Sequence, residues 1–162
     1  MQADTYTLIT TRAEFVAALR DAIEQAEQTG ARELFFVDPD FAQWPLNDAA
    51  VIETLAQWMA TGRKLVVYAA YFDDMARRQL RFVEWRRTWT HAVQCRSDEE
   101  IEAENVPTLL LAADQVCVRL VDRVHFRGSA STRVIDLVEC REMIDALLQR
   151  SSETFPATTL GL

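Results

Sequence analysis

Two stretches of the chain carry side-chain types that could do chemistry. In "FFVDPDFAQW" an apolar run ends in Asp38-Pro39-Asp40, with Trp44 just beyond, and in "VVYAAYFDD" another apolar run ends in Tyr71, Asp73 and Asp74. Parallel sheets bind ligands beyond the carboxyl ends of their strands. Paired carboxylates there offer the hard oxygen ligands that a divalent cation takes. Each stretch also has a structural explanation. Asp-Pro-Asp is a turn sequence in which an Asp side chain accepts from the backbone two residues on, and Asp73 and Asp74 suit a helix N-terminus through the macrodipole.

The remaining chemistry-bearing residues are sparse. The histidines are His91, placed at a helix end, and His125 in "RVHFRGSAS". Neither has a metal-ligand partner at helical spacing, and no C-x-x-C occurs, so no zinc site is expected. There is no G-x-G-x-x-G, no G-x-x-x-x-G-K-[ST] and no G-x-S-x-G elbow, and four glycines leave little from which to build a phosphate-cradling loop. Gly128-Ser129 could turn amides toward an anion, but it reads first as a turn before the last helix.

Asp-x-Asp after an apolar strand resembles the opening motif of haloacid dehalogenase-type phosphatases. That resemblance implies a first Asp attacking phosphorus, with both acids bearing on a magnesium ion. The same family uses a Lys after a later strand, and the only Lys of this chain, Lys64, opens a strand at the wrong end.

The elements that must position these residues alternate in period. "TYTLIT" (5–10) reads as a strand, and Thr11 with Glu14 forms a capping box. Phe15, Leu19, Ala22, Ile23 and Ala26 then recur at helical spacing up to Gly30. "ELFFVD" (33–38) reads as a strand buried on both faces. A helix capped by Asn47 or Asp48 turns Val51, Ile52, Leu55, Ala56 and Met59 inward and stops at Gly62. "KLVVYAAY" (64–71) is a second buried strand, Asp73 caps one long helix to about Trp89, and "AVQCR" (92–96) is a short strand. "TLLLAA" and "VCVRLV", separated by Asp114 and Gln115, form a hairpin, since so short a connection permits no crossover. A last helix over about 134–150 puts Leu137, Cys140, Ile144, Leu147 and Leu148 on one face. The expectation is an α/β domain over 1–151, with a mixed but mostly parallel sheet, helices on both faces, and a C-terminal β-hairpin plus helix. Residues 152–162 are expected to be a loosely held tail.

Composition narrows the function. A chain of 162 residues, about half apolar, suffices for one domain with a real core. No run is long and apolar enough for a membrane span, and the N-terminus lacks the pattern of a signal peptide, so a cytoplasmic location is expected. The three cysteines are odd in number and widely spaced, which suits buried reduced thiols. A net charge of −8 opposes binding to nucleic acid or anionic membranes. The basic residues nevertheless cluster in "MARRQLRFVEWRRTW", where Arg77, Arg78, Arg81, Arg86 and Arg87 outnumber Glu84 and where Phe82, Trp85 and Trp89 form one stripe. Arg77, Arg81 and Arg87 make this a candidate partner surface, unless the face is simply solvated or neutralised by the acidic segment "SDEEIEAE" (97–104).

The element order, "ELFFVDPDFAQWPLND", "TLLLAADQVCVRL" with Asp114 and Arg119, and Gly128 to Ala130 before the last helix together resemble a single phospholipase D-like domain, over about Ala31 to Ser151. The resemblance is closer to a degenerate bacterial domain of that fold, found alone or attached to acetyltransferases. Active members of the superfamily carry His-x-Lys and, after four intervening residues, Asp, for a phosphoenzyme on His with the phosphate gripped by Lys. Those places here hold Pro107, Leu109 and Asp114. His125 with Arg127 imitates the start of the motif, but Thr132 stands where its Asp belongs, and the guanidinium of Arg does not titrate as a Lys does. The resemblance thus implies a fold without its catalytic residues, no cofactor and no metal, and a homodimer, because active single-domain members pair two copies. A remnant cleft is expected near Asp38, Asp40, Tyr71, Asp114, Arg119 and Arg127, unless side chains such as Leu109 fill it. Three functions compete: an inactive binding or regulatory module with a protein partner; a magnesium-dependent phosphoesterase using Asp38 and Asp40; and nucleic-acid binding through the Arg-rich helix 74–89.

Overall fold

A computed structural model describes residues 4–155. The chain runs β1 (Tyr6–Ile9), α1 (Arg12–Thr29), β2 (Glu33–Val37), α2 (Ala49–Met59), β3 (Lys64–Tyr68), α3 (Asp73–Arg78), α4 (Leu80–Thr88) and β4 (Val93–Ser97). A 3-10 turn (Ala103–Asn105) leads into β5 (Thr108–Ala112), β6 (Val116–Asp122), β7 (Arg127–Ser131), α5 (Val134–Gln149) and β8 (Ser152–Glu153). All the strands join one sheet in the order β1-β7-β6-β5-β2-β3-β4-β8. Among the described residues no helix is long and apolar enough to cross a membrane.

The expectation of a mostly parallel sheet is wrong. Only β2/β3 and β3/β4 run parallel, and the other five pairings are antiparallel. The parallel pairs are those joined by helical crossovers, which parallel neighbours require. Between β4 and β5 the chain makes no helical crossover, and β5 comes back antiparallel beside β2 with Val37 opposite Leu109. β1, the strand before β2 in the chain, pairs instead with β7 at the edge of the sheet.

The strands read as continuous apolar runs because side chains alternate between two buried faces. Leu34 and Phe36 of β2, Leu65 and Val67 of β3, and Leu110 and Ala112 of β5 pack toward α1, α2 and α4. Phe35 and Val37, Val66 and Tyr68, and Leu109 and Leu111 pack toward α5. Each Leu, Val or Phe so buried contributes roughly 1.5–3 kcal/mol.

α1 follows its sequence pattern. The Glu14 amide donates to Thr11 Oγ1 at 3.1 Å, and the Glu14 carboxylate accepts from the Thr10 amide at 3.0 Å, one residue earlier than a strict capping box. Gly30 ends the helix at φ 70°, and all five residues expected inward are buried. In α2, Asp48 is the cap, accepting from the Ala50 amide at 2.9 Å. Val51, Leu55 and Met59 are buried there, as is Trp58, which the spacing did not single out.

Residues 73–89 do not form one helix, and Asp73 is not its cap. Phe72 holds the cap position, and the chain breaks at Gln79, at φ −113° and ψ 51°. Gln79 is 3% exposed, and its Nε2 donates to the carbonyls of Phe41 and Trp44, both at 2.8 Å. A residue with good helix propensity is pulled out of register by two buried bonds to a distant loop. The second helix starts with help from Asn47, whose Oδ1 accepts from the Arg81 amide at 2.9 Å.

Downstream, the expected hairpin forms, but its loop is Ala113 to Gln115, with Asp114 in the left-handed region at φ 65°. The hairpin is not the end of the sheet, because "RGSAS", read as a turn, is strand β7. A Cβ on Gly128 would lie 1.9 Å from the Arg119 carbonyl oxygen, so the close approach of β6 and β7 requires glycine there. Within the segment expected to be a loose tail, Ser152–Glu153 pairs with β4, and the Phe155 ring stacks on Phe72 at 5.0 Å with the Arg86 guanidinium over it. The rest of that segment, 156–162, lies outside the described residues.

Candidate functional site

β2 and β3 end, and β5 begins, at the same edge of the sheet. Pro107 and Thr108, at the head of β5, border two clefts. Thr108 lines one of about 300 Å³, together with Asp38, Asp40, Glu104, Arg123 and Phe126. Pro107 lines another of about 660 Å³, between residues 98–107 and α5.

In the first cleft Asp38 is 7% exposed and fully occupied by the protein. Its Oδ1 accepts from the Thr108 hydroxyl at 2.5 Å, and its Oδ2 accepts from the amides of Phe41 at 2.8 Å and Asp40 at 3.1 Å. Burial pushes its carboxyl up, against the lowering effect of those hydrogen bonds, led by that of Thr108. Asp40 accepts from the Ala42 amide at 3.0 Å. The two acids build the loop that follows β2: Phe41 sits in the left-handed region at φ 62°, its amide held by Asp38 and its carbonyl by Gln79. A cation at Asp38 would compete with three donors already in place. Arg123, the one basic residue lining this cleft, is tied to the backbone carbonyls of Val106 and Glu104. Among the described residues no three His, Cys, Asp or Glu side chains group as metal ligands do.

The other sequence candidates scatter. Tyr71 is near, its amide donating to the Pro39 carbonyl at 3.3 Å, and its phenol is raised first by burial and then by the charge of Asp40. Asp114 lies in the loop at the far end of β5, about 15 Å of strand away from Asp38. Arg119 pairs with Glu139 of α5 at 3.1 Å, and Arg127 is exposed at the start of β7. His125 occupies the exposed β6–β7 turn, where its Nδ1 lies 2.9 Å from Asp122 Oδ2. That bond is the first cause lowering the Asp122 carboxyl. Leu109 is 0% exposed and belongs to the core under α5.

The arginine face is partly spent within itself. Arg77 pairs with Asp74 at 2.8 Å, Arg87 with Glu84 at 3.2 Å, and Arg81 Nη1 donates to the Asn47 carbonyl at 2.9 Å. The acids are one helical turn away and Asn47 lies on the loop before α2; none belongs to the acidic 97–104 segment. Arg86, counted on sequence with the exposed arginines, is 5% exposed and donates to the Phe155 carbonyl. Phe82 and Trp85 are buried, so their rings belong to the core.

Thr108, Gln79 and Arg123 were not singled out from sequence. A Thr at a strand head, a Gln in a helix and an Arg in a loop carry no motif, and each gains its role from a partner distant in the chain.

No family model and no curated protein matches the chain. Solved structures do. NucT from Helicobacter pylori matches with a TM-score of 0.63 at 8% identity, over 94% of this chain and 100% of that one. TrmBL2, an archaeal chromatin protein whose structure shows a novel mode of DNA binding, matches at 0.65 and 10% identity, over 92% of this chain and 54% of that one. Phosphatidylserine synthase from Haemophilus influenzae Rd KW20 matches at 0.51 and 12% identity, over 99% of this chain and 41% of that one. The chain thus spans about half or less of the latter two. At such identities the likeness is one of fold: α/β, with a mixed sheet and helices, as in these neighbours.

Proposed function

We propose that this chain is a phospholipase D-like domain without phosphodiester chemistry, acting as a binding or regulatory module. The observation that carries the reading is at the head of β5. Of the two places where the resembled motif has a nucleophile and a phosphate grip, one is Pro107 and the other is Leu109, which is 0% exposed beneath α5. Neither side chain can attack phosphorus or neutralise an oxyanion.

The alternative reactive groups support the same reading. His125 is engaged with Asp122 on an exposed turn. Asp38, the candidate for magnesium chemistry, spends its oxygens on Thr108, Phe41 and Asp40. What the domain keeps is a pair of open clefts at the ligand-binding end of its parallel strands.

The test is release of p-nitrophenol from bis(p-nitrophenyl) phosphate by the purified protein, with and without magnesium, beside Asp38→Asn and His125→Ala. Release at the buffer rate in every case is expected. Magnesium-dependent release that disappears in Asp38→Asn replaces the module reading with a metal-dependent phosphoesterase, and release that disappears in His125→Ala restores a histidine nucleophile.

A further inference from the structure

The larger cleft has a chemistry of its own. Its volume is about 660 Å³, within the range of small-molecule sites. One wall is the connection from β4 to β5, which supplies Asp98, Glu100 and Glu102, and the other is the C-terminal half of α5, which supplies Met143 and Leu147. Arg150 is its only basic lining residue. No ion pair among the described residues engages Asp98, Glu100, Glu102 or Arg150. The Asp98 carboxylate is held in place, accepting from the Glu100 amide at 2.9 Å.

A second observation is independent of these acids. Tyr68, the last residue of β3, lines this cleft, is 1% exposed, and its buried hydroxyl has no hydrogen-bond partner. A buried hydroxyl without a partner costs free energy, and such groups in native proteins call for an explanation. Burial, then the nearby Asp98 charge, raises the phenol, so it stays protonated at neutral pH and offers a lone pair as well as a proton.

We infer that this cleft binds a small organic cation, a primary ammonium on an aliphatic stem. The ammonium meets the Asp98 and Glu100 carboxylates and donates to the Tyr68 hydroxyl oxygen, while the stem lies on Met143, Leu147 and Pro107. An anion is disfavoured by three carboxylates against one guanidinium. A quaternary ammonium fits less well, since it has no N–H for the phenol. The inference rests on reading the domain as a binding module and names what one of its clefts takes.

The experiment is a titration of the protein with n-hexylamine, followed by amide and side-chain NMR shifts, with hexanoate and tetraethylammonium as controls. Tyr68→Phe keeps the ring and removes the hydroxyl. Asp98→Asn removes the charge while its amide oxygen can still accept from Glu100. Saturable binding of hexylamine mapping to the cleft is expected, weakened roughly tenfold by each substitution, with both controls weaker. Absence of saturable amine binding, amine binding that neither variant changes, or hexanoate binding as well as hexylamine overturns the inference. Any of these leaves the module reading standing, whereas turnover of a phosphodiester removes that reading without touching amine affinity.

Discussion

Replacing Asp38 separates an architectural carboxylate from a catalytic one. Asp38→Ala removes the acceptors for the Thr108 hydroxyl and for the Phe41 and Asp40 amides at 2.5, 2.8 and 3.1 Å. Thr108 is 1% exposed, so water does not take over. Leaving two buried donors unpaired at about 1–3 kcal/mol each predicts a loss of about 2–6 kcal/mol. Asp38→Asn is different, because the amide oxygen can face the two backbone donors while its NH2 donates to the Thr108 hydroxyl oxygen. The cost should be no more than about 1 kcal/mol. The pH dependence sharpens the comparison. Burial raises the folded Asp38 carboxyl above its ordinary value of 3.8. The stability linked to that raised value is fully present below the ordinary value and is lost as pH rises through the folded one. Wild type should therefore gain on Asp38→Asn as pH falls from neutral toward that value. Urea unfolding followed by tryptophan fluorescence reads both effects. Asp38→Asn as damaging as Asp38→Ala, or wild type losing ground to Asp38→Asn on acidification, would show that this carboxylate does not hold the loop in the way described.

Two further substitutions test the frame around the site. Gly128→Ala drives a methyl to within 1.9 Å of the Arg119 carbonyl oxygen, so separation of β6 and β7 should cost about 2–3 kcal/mol in the same unfolding assay. Phe155→Ala removes the ring between Phe72 and the buried Arg86 guanidinium, each 5.0 Å away, and should cost about 2 kcal/mol. No change in midpoint for Phe155→Ala would mean that residues 152–155 do not hold Arg86 in solution.

What was legible in the sequence was local. The cap at Thr11, the stop at Gly30 and the five inward residues of α1 depend on neighbours a few positions apart, and all are present. The Asp38 turn was legible for the same reason, since its Oδ2 holds amides two and three residues on. The direction of β5 was not, because a strand's apolar run reads the same parallel or antiparallel, and the long connection before it fixes neither. β7 was missed because "RGSAS" has no β-branched or aromatic residue, and it becomes a strand by pairing on both sides, between β6 and the edge strand β1. The break at Gln79 and the burial of Arg86 come from partners 38 and 69 residues away. For the same reason the candidate site residues did not stay together: Asp38 and Asp40 share a cleft, while Asp114 lies at the other end of β5 and Arg119 turns to α5.

The proposed function holds that this fold carries no phosphodiester chemistry in the present chain. The rate of p-nitrophenol release from bis(p-nitrophenyl) phosphate by the wild-type protein, followed from about pH 5 to about pH 9, tests it most directly. A rate indistinguishable from buffer at every pH and independent of protein concentration is expected. A rate proportional to protein, with a bell-shaped profile, would contradict it.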